Sequence, residues 1–161
     1  MKKYIFTLLL LFVCHLSYAQ SIDSLFKEFG NEKNADCIKV SSFMMSLGKM
    51  FAGHDKGTEI VGKIKSMRVL DLEDCPTDVK ERFHKKVKRL NLDGYDELMR
   101  VNDEGEKVHI LMKTKKETIR ELLFVCTGKE DCTLVQINGK FTKDDIDRLV
   151  NQETGKKHGR R

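Results

Sequence analysis

Between Tyr95 and Asn138 the chain reads as four successive strands, and this stretch constrains the fold more than any other. Its connections are too short for crossovers, so the strands must be antiparallel neighbours. Tyr95–Asn102 turns at Asp103-Glu104-Gly105 into Lys107–Lys113, where Val108, Ile110 and Met112 alternate with His109, Leu111 and Lys113. Residues 114–117 turn into Ile119–Cys126, and residues 127–131 turn into Cys132–Asn138, completing a meander. Leu122-Leu123-Phe124-Val125 is apolar in both phases, which predicts a central strand covered on both faces. If helices cover only one face, the other awaits a partner.

The N-terminal half supplies helices. Ser21 is placed to cap one that carries Ile22, Leu25, Phe26 and Phe29 at helical spacing and stops near Gly30. Cys37–Val40 is short and extended in character. Ser41 or Ser42 opens a second helix with Phe43, Met44, Leu47, Met50 and Phe51 on one stripe. Such a stripe reads first as core, and second as an adaptable Met-rich binding face. Gly57 and Gly62 bracket a loop, and Ile64–Leu72 reads as a strand. In that strand Ile64, Leu70 and Leu72 share one phase, Met67 and Val69 the other. Pro76 and Thr77 begin the clearest helix, with Val79, Phe83, Val87 and Leu90 on one face and Gly94 expected to stop it. Thr142 with Asp145 resembles a capping box opening a last helix through Ile146, Leu149 and Val150. The expected class is α+β: a four- to five-stranded, mainly antiparallel sheet packed with about four helices.

Residues 1–19 read as a signal peptide. Lys2 and Lys3 precede an apolar run from Tyr4 to Cys14, and Ser17-Tyr18-Ala19 offers a cleavage site that leaves Gln20 as the mature N-terminus. Val13 stands where a lipid-modified precursor needs a small residue, so lipidation at Cys14 is not expected. The 161-residue chain has a formal charge of +5, which falls to +3 once Lys2 and Lys3 are removed. Lys156, Lys157, Arg160 and Arg161 supply +4 of that, so the body is about neutral. The basicity therefore belongs to the ends and is no argument for nucleic acid. Residues 20–154 are expected to form a single domain, and residues 155–161 a basic disordered tail.

Four cysteines follow the leader: Cys37, Cys75, Cys126 and Cys132. In an oxidising compartment an even number permits two disulfides, with about three connectivities open, and the alternative is four free, partly buried thiols that pack as small hydrophobes. A symmetric loop over residues 127–131 would set Cys126 opposite Cys132, Phe124 against Leu134 and Leu123 against Val135, leaving Cys37 for Cys75. No C-x-x-C redox pair exists, and no nucleophile or zinc-protease motif is present. His54, His84, His109 and His158 are scattered, with His109 the least bland because it shares a strand phase with Leu111. Residues 71–74 and 102–104 are acidic turns without calcium-loop spacing. No metal or other cofactor is expected. The helix after Pro76 carries a basic face, including Lys85, Lys86 and Arg89, suited to an acidic partner or an anionic membrane surface.

The S-S-F-M-M-S-L helix, the I-K-S-M-R-V-L-D-L strand, the G-Y-D-E-L-M-R-V turn and strand, and the closing I-N-G-K-F-T-K-D-D-I resemble the DUF4252 family of small exported bacterial proteins. The resemblance implies a Gram-negative envelope protein without an assigned activity, and it carries no active-site residues. The functional expectation is a non-catalytic binding module that meets another envelope protein. The alternative is a small periplasmic hydrolase or ligand-binding enzyme, which would need a pocket gathering His109 with a carboxylate or a cysteine.

Overall fold

The computed structural model describes residues 21–51, 58–103 and 105–148, with the backbone alone for residues 47–51, 58 and 59. The expected signal peptide, the basic tail, and Leu149 and Val150 lie outside the described residues. Six strands form one antiparallel sheet: β1 (Asp36–Val40), β2 (Ile64–Asp71), β3 (Asp96–Asp103), β4 (Glu106–Lys115), β5 (Thr118–Thr127) and β6 (Cys132–Phe141). Their order is β1-β2-β6-β5-β4-β3. The meander β3–β6 follows the expected turns, and β2 joins it at β6. β1 adds a sixth strand by pairing five residues with β2, one more than the expected upper bound.

The helices are α1 (Ile22–Phe29), α2 (Ser42–Phe51), α3 (Thr58–Lys63) and α4 (Thr77–Val87), and residues 143–148 form a closing helix. α1 starts where Ser21 and Ser24 satisfy each other's backbone N–H groups in a reciprocal capping box. It stops at Gly30, where a Cβ would lie 2.5 Å from the Phe26 carbonyl oxygen. α3 is a difference from expectation: the segment bracketed by Gly57 and Gly62 is helical from Thr58, and Gly62 stands in open space inside it.

Two apolar layers sandwich the sheet. On the near face, α1 and α4 pack Leu25, Phe29, Val79 and Phe83 over Leu70, Leu111, Leu123, Val125 and Leu134. Phe29 meets Phe83 edge to face with ring centres 5.3 Å apart. Both rings are fully buried, each stabilising the fold by roughly 1.5–3 kcal/mol through area removed from water. On the far face, Ile146 of the closing helix and Ile60 of α3 pack on Ile119, Leu122 and Phe141. β5 is therefore central and apolar in both phases, with Leu123 and Val125 facing one layer and Leu122 and Phe124 the other.

Two register details correct the strand phases read from sequence. A shift between Ile64 and Ser66 turns Ile64 to the far layer, although Leu70 and Leu72 belong to the near one. In the β5–β6 hairpin Thr127 pairs with Cys132, Cys126 with Thr133, Phe124 with Val135 and Leu123 with Gln136. The expected pairings of Cys126 with Cys132, Phe124 with Leu134 and Leu123 with Val135 are thus off by one residue. The loop tightens by one position because Gly128 N–H donates to Asp131 O at 2.6 Å. Since strand side chains alternate, a one-residue slip changes the face, and Cys126 and Cys132 point to opposite sides of the sheet.

Candidate functional site

Each strand contributes every second residue to the far face, and the pairing register aligns these into rows. The middle row runs Ile38, Val69, Val135, Phe124, Ile110 and Met99 across all six strands without a polar interruption. The row toward the helices, from Val40 through Met67, Ile137, Leu122 and Met112 to Asp96, is where Ile146 and Ile60 settle. Leu122 is buried there. The row on the other side mixes Asp36, Asp71, Thr133, Cys126, Val108 and Val101.

The helical cover ends before the middle row does. Ile38 is 56% exposed at one end of that row and Met99 39% exposed at the other. Phe43 and Met44 of α2 add 72% and 57% exposure, and Val61 of α3 and Val101 are also exposed. Phe43 and Met44 were expected first as core. Instead the start of α2 presents its apolar residues to solvent, and the side chains of Leu47, Met50 and Phe51 lie outside the described residues. An exposed apolar surface rimmed by charge is the usual mark of an interaction site. The sheet edges are less inviting. β3 carries Asp96, Glu97, Arg100 and Asp103, and β1 carries Asp36 and Lys39, charges that discourage added strands.

The near face holds the polar chemistry. Tyr95 Oη donates to Glu121 Oε1 at 2.6 Å, Gln136 donates to the same oxygen, and Arg68 Nε donates to Gln136 Oε1 at 2.7 Å. Arg68 also pairs with Asp23 of α1 at 2.6 Å and lies over the Phe26 ring. This chain ties α1 to three strands. Burial pushes the Tyr95 hydroxyl well above its ordinary range, with the Glu121 hydrogen bond acting the same way, so it stays a donor.

His109 lies 2.6 Å from Glu97 Oε2, which also accepts from Arg100 at 2.5 Å. This does join His109 to a carboxylate. Hydrogen bonds from His109 and Arg100 keep Glu97 below the usual carboxylate range. His84 Nε2 lies 3.1 Å from Cys132 Sγ. Burial raises the thiol of Cys132 and lowers the imidazole of His84, with Lys88 lowering the latter further. Both are therefore held neutral, the reverse of a thiolate–imidazolium pair.

The remaining sequence candidates are dispersed. Cys37 is exposed, Cys75 and Cys132 are buried, Cys126 is half-buried, and all four are free thiols. Cys75 Sγ approaches Lys33 O at 3.6 Å. On α4, Lys86 pairs with Glu28 at 2.8 Å and Arg82 pairs with Glu32, so part of the basic face turns onto acids of α1. Lys85 and Arg89 stay exposed. Among the described residues no three His, Cys, Asp or Glu side chains converge where a metal ion could sit. No helix among them is long and apolar enough to cross a membrane.

A family model described as a domain of unknown function, DUF4252, matches residues 26–149. The chain belongs to the DUF4252 family. The match begins within α1 and takes in every described residue after it, so in this DUF4252 protein both layers and the whole sheet are family structure. No curated protein and no solved structure matches the chain.

Sequence reasoning missed two contributors to the far face. The α3 helix was hidden by Gly57 ahead of it and Gly62 inside it, which mimic loop signals. The continuous middle row was present as alternate residues in six separate segments, and only the register joins them.

Proposed function

We propose that this DUF4252 protein is an exported, non-catalytic binding module of the cell envelope that holds another envelope protein on its far face. The observation that carries the reading is the uninterrupted apolar middle row, open at both ends through Ile38 and Met99. Export rests on the leader at residues 1–19 and on no structural observation. The test is a photo-crosslinking residue placed at the exposed Phe43, with a control at Lys85 on α4, in cells that make the protein. Crosslinks to one envelope protein from position 43 and not from 85 are expected, with a mature mass beginning at Gln20. Crosslinks from 85 alone, or to lipid alone, would shift the interface to the basic helix and an anionic membrane.

A hydrolase is the second reading, favoured by the contact of His109 with Glu97 beside a cavity. Against it, no serine or cysteine is among the described residues lining that cavity, and the Cys132–His84 pair is held neutral.

A further inference from the structure

On the near face a partly open cavity of about 650 Å³ separates the end of α4 from the β3–β4 hairpin. This is within the size range of small-molecule sites. Val87, Leu90, Leu92 and Val125 give it an apolar floor, continuous with the near-face core. Its cations come from four separate places in the chain: Lys88 after α4, Arg100 on β3, Lys107 on β4 and Lys129 in the β5–β6 loop. No described aspartate or glutamate lines it. His84 and His109 add two imidazoles.

The two near-face cavities differ in charge. Lys63, Arg68, Arg82 and Lys86 each meet a carboxylate. Lys88, Lys107 and Lys129 form no ion pair with a described residue, and Arg100 shares Glu97 with His109. The smaller cavity at the other end of the near face is the opposite, lined by Asp23, Asp93 and Glu121 with a single lysine, Lys113. Glu97 answers Arg100, and Glu106 passes beside Gly128, but neither lines the cavity; lysines gathered around one opening repel one another, and an anion placed among them relieves this. Inorganic phosphate alone would leave the apolar floor uncovered. A neutral apolar molecule would leave the cations unanswered.

We infer that this cavity is a binding site for a small organic anion with an apolar body, a carboxylate or phosphate monoester carrying an alkyl chain. The anionic head sits among Lys88, Lys107 and Lys129, and the chain lies on Val87, Leu90 and Leu92. The site is on the opposite side of the sheet from the proposed partner surface and does not depend on it.

The test is isothermal titration calorimetry of the purified protein with decanoate, decyl phosphate, 1-decanol and inorganic phosphate, below any micelle threshold. Saturable one-to-one binding of decanoate or decyl phosphate is expected, weakening as salt rises, and the stronger of the two identifies the head group. The Lys107→Glu/Lys129→Glu double variant should weaken it by about tenfold or more. That variant relieves repulsion, so its thermal midpoint without ligand should not fall, which separates lost binding from lost folding. Phe43→Ser on α2, away from the residues that line the cavity, should bind as the wild type does. Equal binding of 1-decanol, equal binding of inorganic phosphate, no saturable binding, or loss of binding in Phe43→Ser would each overturn the assignment.

Discussion

Asp145 is almost completely buried, yet it is ionised. It accepts from Lys63 Nζ at 2.6 Å and from the Thr142 backbone N–H at 2.8 Å, and these bonds lower its pKa from 3.8 to about 2. A carboxylate held below its unfolded value stabilises the fold fully above pH 3.8, and this contribution fades as pH falls toward 2. Asp145→Asn should therefore cost about 1–2 kcal/mol near neutrality and flatten the acid limb of stability, measured by urea unfolding from pH 2 to 7. His84 acts in the same direction at higher pH. Burial disfavours its imidazolium, so acidification below about 6.5 weighs against the folded state. The cysteines make a covalent prediction. With Cys126 and Cys132 on opposite faces, a non-reducing digest should contain no peptide joining them, and such a peptide would refute the hairpin register. In reduced protein Cys37 should alkylate first, because it is exposed while burial raises the thiols of Cys75, Cys126 and Cys132.

The elements form where local chemistry agrees with packing. The Ser21 cap, the Thr142–Asp145 box and the 79/83/87 stripe were legible in sequence, because caps and periodicity act within a few residues, whereas Leu90, expected on the same helix, lies beyond the end of α4 at Val87. α3 was not legible, since its reason to be helical is the far-face contact through Ile60 and the Lys63–Asp145 bridge to another element. Gly139 shows how tightly that corner is built. A Cβ there would lie 2.5 Å from the Phe141 ring and 2.7 Å from the Lys63 carbonyl oxygen. Gly139→Ala should destabilise by roughly 1–3 kcal/mol through overpacking, seen as a lower denaturant midpoint with an unchanged slope. Gly62→Ala, inside α3 with open space around it, should instead be neutral or stabilising by up to about 1 kcal/mol, and the pair of variants separates backbone propensity from contact.

At the scale of the whole molecule, one sheet divides two kinds of surface. The near face is packed by α1 and α4 and carries polar and charged groups at both ends, and the far face has an apolar middle row that is incompletely covered. Far-face exposure predicts salt-driven association: with rising ammonium sulfate the wild type should self-associate earlier than Ile38→Lys/Phe43→Ser, by light scattering, at equal thermal midpoints. By itself the sequence determined the α+β class, the antiparallel meander, the central two-faced strand at Leu122–Val125 and the helix caps. Each of these depends on spacing within one segment. Only the tertiary structure decided that β1 closes the order as a sixth strand, that Cys126 and Cys132 part to opposite faces, and that Phe43 and Met44 stay outside the core. It alone also aligned six separate apolar residues into one row and gathered Lys88, Lys107 and Lys129 around one cavity. Those outcomes rest on register and on contacts between distant segments, where a slip of one residue exchanges inside for outside and no local pattern records the choice.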